Sequence, residues 1–247
     1  MFADVIPSSR SLWLTGLLLA WAALLFGGFV FGKADAERTR RMPVWTRLAS
    51  SAVLVVAGWS WFGITRDRAA NSFALLIATG MTLGFVGDLF MARLLPIPQY
   101  ILGGIGAFGL GHIVYIAALL RLGNQAGWAA AGPRWLAWIA WLLVGLIGWY
   151  FVVYRGRRPT ALHWAALPYA LLLASTAGFA TGLALQSPTF VPLAIGGALF
   201  LLSDLILAAQ LFNGVRFYLI GDVIWLTYGP GQALIVYAVA GALRALM

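Results

Sequence analysis

Long apolar runs joined by short polar connections make up nearly the whole chain. Eight of these runs approach or exceed the ~20 residues a helix needs to cross the hydrocarbon core of a bilayer. They lie near residues 11–31, 48–65, 73–95, 101–120, 135–154, 163–186, 192–212 and 219–245. The short alternating segments of a transmembrane β-barrel do not occur. The connections "LLPIPQY", "RGRRPT", "QSPTFVP" and "NGVRF" carry proline, glycine and asparagine, the residues of turns. The pattern predicts an all-α fold, a polytopic transmembrane bundle of about eight spans, forming one membrane domain over residues 1–247.

Composition strengthens this picture and removes several function classes. Of 247 residues, 62% are hydrophobic and 9% charged, against about a quarter charged in soluble domains. The longest polar stretch, residues 33–47, is too short to bury a core of its own. With no cysteine, disulfides, thiolate catalysis and cysteine metal sites are excluded. The net charge of +9 lies between apolar runs, where it suits anionic headgroups and topology and not nucleic acid. The first run lacks a small-residue cleavage site and is read as a helix, not a signal peptide. Several tryptophans, among them Trp45, Trp135 and Trp164, fall near span ends, where indole favours the interface. Eight spans put both termini on one side. That side carries 6 Lys and Arg and the other 10, so the positive-inside rule leans towards termini outside. The arginine bias, with one lysine, points to a bacterial inner membrane.

The acids now become informative. Asp4, Asp35, Glu37 and Asp67 fall in tails or loops and read as solvated charge. Asp88, Asp204 and Asp222 fall in spans three, seven and eight, all in the half of the membrane nearer the basic side. "GDLFMA" (87–92) and "SDLILA" (203–208) share small-Asp-Leu-x-x-Ala. The span after each carries "GLGH" (109–112) or "GPGQ" (229–232). This echo, offset by four helices, suggests a parallel four-plus-four repeat and predicts that Asp88 and Asp204 converge.

An ionised aspartate at the bilayer centre costs about 3 kcal/mol on insertion scales, so it calls for a wet cavity, a partner or a retained proton. Two adjacent carboxyls in low dielectric cannot both ionise cheaply, which gives one acid and one base. That is the equipment for hydrolysis without a metal or other cofactor. The plainer reading of Asp88 and Asp204 is helix–helix hydrogen bonding, and of Asp222 a helix cap. His112 and Tyr115 share a helix face at i, i+3, as do Tyr228 and Gln232 at i, i+4. These four and Asp222 are candidates to hold substrate or water, although a lone histidine among glycines is as often packing. The glycines of "GGIGAFGLG" read as close helix packing, not a phosphate loop. His112 and His163 alone cannot make a three-histidine zinc site, which leaves only a mixed His/Asp site conceivable. No G-x-S-x-G nucleophile elbow is present.

Taken together, "GDLFMA…GGIGAFGLGHIVYIAALL", "GALFLLSDLILA" and "WLTYGPGQALIVYA" resemble the YhhN family of lysoplasmalogenases in order and spacing, over most of the chain from span two onward. The resemblance carries Asp88, His112, Tyr115, Asp204, Tyr228 and Gln232 over as site residues. Met91 and Pro230 depart from its motifs, and Pro230 is expected to kink span eight near Gln232. It implies cleavage of the vinyl-ether bond of lysoplasmalogens to a fatty aldehyde and a glycerophospho-headgroup. Asp88 and Asp204 would be the catalytic pair, Arg93 or Arg216 would meet the phosphate, and the partners would be a lysophospholipid substrate and membrane lipids. Two other readings stay open at this stage. One is a proton-coupled transporter using the aspartates as a relay, the other a non-catalytic lipid-binding or assembly protein.

Overall fold

The computed structural model describes residues 2–156 and 158–247. Among them are eight helices long and apolar enough to span a membrane, and no strand. The protein is a multi-pass helical membrane protein. In chain order the first four spans are α1 (Ser8–Phe31), α2 (Val44–Ile64), α3 (Asn71–Met91) and α4 (Tyr100–Gln125). They are followed by α5 (Ala131–Trp149), α6 (Ala161–Ala184), α7 (Val191–Asn213) and α8 (Ile220–Tyr237). A short α9 (Val239–Ala245) completes the last span. Outward positions such as Leu12, Leu136 and Leu202 are exposed, as a lipid solvent requires.

Helix ends differ from the apolar runs where backbone chemistry decides. α2 starts at Val44 because Pro43, with φ −60°, is preset to open a helix. α4 runs on to Gln125, past its apolar stretch, until Gly127 turns the chain at φ +72°. α5 ends in a wide π-helical turn, Tyr150–Tyr154, closed by the Arg155 N–H donating to the Tyr150 carbonyl at 2.8 Å. Pro230 lies inside α8 without ending it.

Close packing rests on small residues. A Cβ on Gly196 of α7 would stand 2.8 Å from the Gly231 carbonyl oxygen of α8. A Cβ on Gly197 would stand 2.9 Å from the Ala177 Cα of α6. These two seams draw α6, α7 and α8 to backbone contact. Helix α2 touches α1, α3 and α8, much as α6 touches α5, α7 and α4. The α1–α8 and α3–α8 contacts have no counterpart of similar extent, so a four-plus-four repeat is not confirmed.

The loop between α1 and α2 is tied to the start of α8. Asp222, fully buried, accepts the Arg41 N–H at 2.5 Å and the Met42 N–H at 3.0 Å. Beside it, the Gly221 N–H donates to the Thr39 carbonyl at 2.8 Å. Within the same loop the Thr39 hydroxyl and backbone amide donate to Asp35, both at 2.7 Å. These bonds hold the Asp35 carboxyl below the usual carboxylate range.

Candidate active site

Each of the two central acids is held by a hydroxyl from the helix that precedes it in the chain. On α3, Asp88 is nearly fully buried, and its Oδ2 accepts the Ser51 hydroxyl of α2 at 2.5 Å. The same oxygen accepts the Tyr228 hydroxyl of α8 at 3.1 Å. On α7, Asp204 accepts the Tyr169 hydroxyl of α6 on Oδ2, and the Ser203 hydroxyl, which donates to the Phe200 carbonyl at 2.7 Å, lies 3.3 Å from its Oδ1. Ring contacts link the two groups, the His112 ring lying 5.9 Å from the Tyr115 ring and 6.2 Å from the Tyr169 ring. Segments separated by more than a hundred residues therefore meet in one polar cluster inside an apolar bundle.

The cluster extends away from Asp88 through side chains alone. The Gln232 Nε2 donates to the Tyr228 hydroxyl at 3.2 Å, and the Tyr115 hydroxyl donates to Gln232 Oε1 at 3.0 Å. Glycines make the room: a Cβ on Gly84 would stand 2.8 Å from Gln232 Nε2, and one on Gly80 2.3 Å from the Tyr115 ring. Both lie on α3, one and two turns before Asp88, so this face of the helix is kept bare for the network.

His112 adds an unpartnered ring nitrogen. Its Nδ1 lies 2.9 Å from the Thr176 hydroxyl, which itself donates to the Leu172 carbonyl at 3.2 Å. Its Nε2 is buried and without a partner, in a ring that packs 4.5 Å from the Phe200 ring centroid. A buried polar atom of this kind holds a water or a substrate hydroxyl at low cost.

Asp204 also faces a cleft. Its walls come from α3 to α7 and include Met91, Ile105, Trp149, Leu173, Leu205 and Phe212, with Tyr169 beside the acid. Its enclosed space is about 80 Å³. A single water needs roughly 10–15 Å³, so several fit next to the carboxyl. Apolar walls around one carboxyl and one phenol suit a hydrocarbon chain with a reacting polar end.

The other candidates stand elsewhere. Asp222 spends both oxygens on the amides of the α1–α2 loop. Arg93 is exposed, donates to the Tyr100 hydroxyl at 2.7 Å and lies 4.3 Å from that ring's centroid. Arg216 pairs with Glu37 at 3.4 Å, with both side chains largely exposed. His163 caps α6 against Thr160. Among the described residues no group of three or more histidine and acidic side chains gathers in one place. Sequence reasoning did not single out Ser51, Tyr169 or Thr176. Their signal was faint: Ser51 and Thr176 are short hydroxyls of a kind common in membrane helices, and Tyr169 follows Pro168 without any motif.

A model of the YhhN family matches residues 42–239, most of the chain and every residue of the cluster. The chain belongs to the YhhN family. Membership of YhhN is consistent with an integral-membrane hydrolase. No curated protein and no solved structure matches the chain. For this YhhN protein, the roles of individual side chains rest on the geometry above.

That geometry gives Tyr169 a specific part. Its hydroxyl donates to the acid that lines the cleft, so it orients that carboxyl. Tyr169→Phe keeps the ring and its packing but removes the bond. On the hydrolase reading, turnover falls about tenfold, the scale of one hydrogen bond to a charged group. Steady-state kinetics beside an unchanged melting temperature checks this.

Proposed function

We propose that this YhhN protein hydrolyses the vinyl-ether bond of lysoplasmalogens (1-alkenyl-lysophospholipids), releasing a fatty aldehyde and a glycerophospho-headgroup. The observation that carries the reading is the two carboxyls of α3 and α7 in one polar cluster, with Asp204 lining an apolar cleft. Family membership supports the hydrolase class.

The chemistry asks for little else. A proton is delivered to the vinyl carbon remote from oxygen, and the carbon bonded to oxygen becomes an oxocarbenium ion. Water adds there and surrenders a proton to the neighbouring carboxylate, and the hemiacetal collapses to aldehyde and alcohol. One water is consumed and nothing is oxidised or reduced. Paired carboxyls divide such labour in glycosidases, where one delivers the proton and the other steadies the cation or activates water. On this reading Asp204, which lines the cleft, meets the reacting atoms. Asp88, behind it, has an Oδ2 saturated by Ser51 and Tyr228 and an Oδ1 free of protein donors. His112 Nε2 and the Tyr228–Gln232 pair supply acceptors and donors for the water.

Labelled solvent tests the reading directly. Purified protein given 1-alkenyl-lysophospholipid in deuterium oxide should release aldehyde carrying one deuterium on the carbon next to the carbonyl. In ¹⁸O-water the released glycerol hydroxyl should stay unlabelled, because the bond cut lies on the alkenyl side of the ether oxygen. Aldehyde absent under all conditions would exclude the reaction, and proton-driven uptake into vesicles would favour transport.

A further inference from the structure

One cation near the acids is not used by the chemistry described so far. Arg47 sits in the first turns of α2, four residues before Ser51, on the face that carries Ser51 to Asp88. Its guanidinium lies 5.4 Å from the Trp225 ring centroid. Trp225 packs edge-on against Tyr228 with centroids 5.3 Å apart, and Tyr228 donates to Asp88. The Arg47 Nε is buried without a partner. Among the described residues no carboxylate lies within the 4.0 Å of an ion pair with it, and no oxygen accepts a bond from its guanidinium. Asp88 and Asp222 act on it from a distance only. Asp222 is committed to loop amides, and Asp88 to hydroxyls. Other arginines on this side of the bundle are engaged: Arg93 with Tyr100, Arg216 with Glu37, Arg40 with Asp35 and Arg41 with the Gly32 and Val30 carbonyls.

A guanidinium has five donors and never loses its charge. Holding its Nε buried and unbonded costs free energy unless a ligand completes the site. Its planar fork matches the oxygens of a phosphate, which it binds through paired, charge-assisted hydrogen bonds. Position matters as much as chemistry. Arg47 lies near the start of α2 and Asp88 near the end of α3, at one face of the bundle, and the cleft that Asp204 lines runs back to that same face past Met91 and Phe212. The cation on α2, the acid on α3 and the cleft walled by α3 to α7 thus follow one another side by side, in the order of phosphate, ether and hydrocarbon chain in a lysophospholipid.

We infer that Arg47, backed by Trp225, is a phosphate-binding subsite that anchors the substrate headgroup beside the acids. The inference rests on the lipid reading of the site but not on catalysis. The shared chemistry is a phosphate monoanion or diester, whose source is either a lipid headgroup or free phosphate.

The test is thermal unfolding of the purified full-length protein in detergent with three probes. These are a non-cleavable 1-alkyl-lysophospholipid, the matching 1-alkylglycerol without phosphate, and inorganic phosphate. The lysophospholipid should raise the wild-type melting temperature. For Arg47→Gln its dissociation constant, read from the concentration dependence, should rise about 10- to 100-fold, the scale of a lost charge-assisted pair. Arg47→Lys, which keeps the charge, should recover part of that loss. Alkylglycerol should bind both proteins alike. Unliganded Arg47→Gln should melt close to wild type, because the arginine has no hydrogen bond or ion pair in the fold to lose and only its contact with the Trp225 ring goes. A structural arginine would do the reverse, lowering the unliganded melting temperature and weakening all probes equally, and that outcome overturns the inference. Equal lysophospholipid binding by wild type and Arg47→Gln also overturns it. Protection by inorganic phosphate but not by lysophospholipid assigns the site to free phosphate and overturns the headgroup role. If these shifts appear while no aldehyde is ever released, the subsite stands and the hydrolase reading falls.

Discussion

Asp204→Asn and Asp88→Asn should each lower aldehyde release by about 10³-fold, within the 10²–10⁴ that positioned acid–base groups supply. Asparagine keeps size and one acceptor oxygen, so Tyr169 can still donate at position 204, and Ser51 and Tyr228 at position 88. What it cannot do is hand over or take up a proton. The two variants should also differ. Asp204 lines the cleft while Asp88 lies behind it, so Asp204→Asn acts where the substrate touches and Asp88→Asn acts through its neighbour. Their combination should cost little more than either alone, because groups acting as a unit are not additive. Steady-state turnover of 1-alkenyl-lysophospholipid, with melting temperatures measured in parallel, decides this. Full turnover by both variants would remove the paired-acid mechanism.

The third intramembrane acid should behave in the opposite way. Asp222→Ala strands two amides, the N–H groups of Arg41 and Met42, beside a residue with no exposed surface. Each unsatisfied buried donor costs roughly 1–3 kcal/mol, so destabilisation of about 3 kcal/mol is expected. For a chain of this size that lowers the melting temperature by about 10 °C. The protein that remains folded at low temperature should keep its turnover per molecule, since Asp222 bonds to the α1–α2 loop and not to the cluster. Loss of turnover without loss of stability would put Asp222 in the chemistry.

These two expectations show what a linear chain can disclose. The eight spans were legible because an apolar run of bilayer length has few other uses. The intramembrane acids stood out for the same reason, since their insertion cost demands an explanation. Rotation of each helix about its axis was not legible. It decides that Asp222 turns to a loop while Asp204 turns to a cleft, and that Tyr169 reaches Asp204. Arg93 and Arg216 were chosen for lying on the right side of the membrane. Their lateral positions, set by Tyr100 and Glu37, depend on loop geometry that short connections do not reveal. Ser51 and Thr176 gain meaning only beside the groups they serve, Asp88 and His112.

The glycine seams also bear on how the protein yields to a guest. Where Gly196 meets Gly231 and Gly197 meets Ala177, peptide touches peptide, and no side chain is there to swing aside. The first half of α7, which leads into the cleft wall from Leu201 to Phe212, is therefore held firmly. Across the cleft, Trp149 and Val153 belong to the loosely wound end of α5. That end is tied to its neighbours by the Trp149 indole N–H on the His163 carbonyl at 3.0 Å and the Asn213 amide on the Val152 carbonyl at 2.7 Å, so a hydrocarbon tail too bulky for the resting hollow would have to break both ties to widen it.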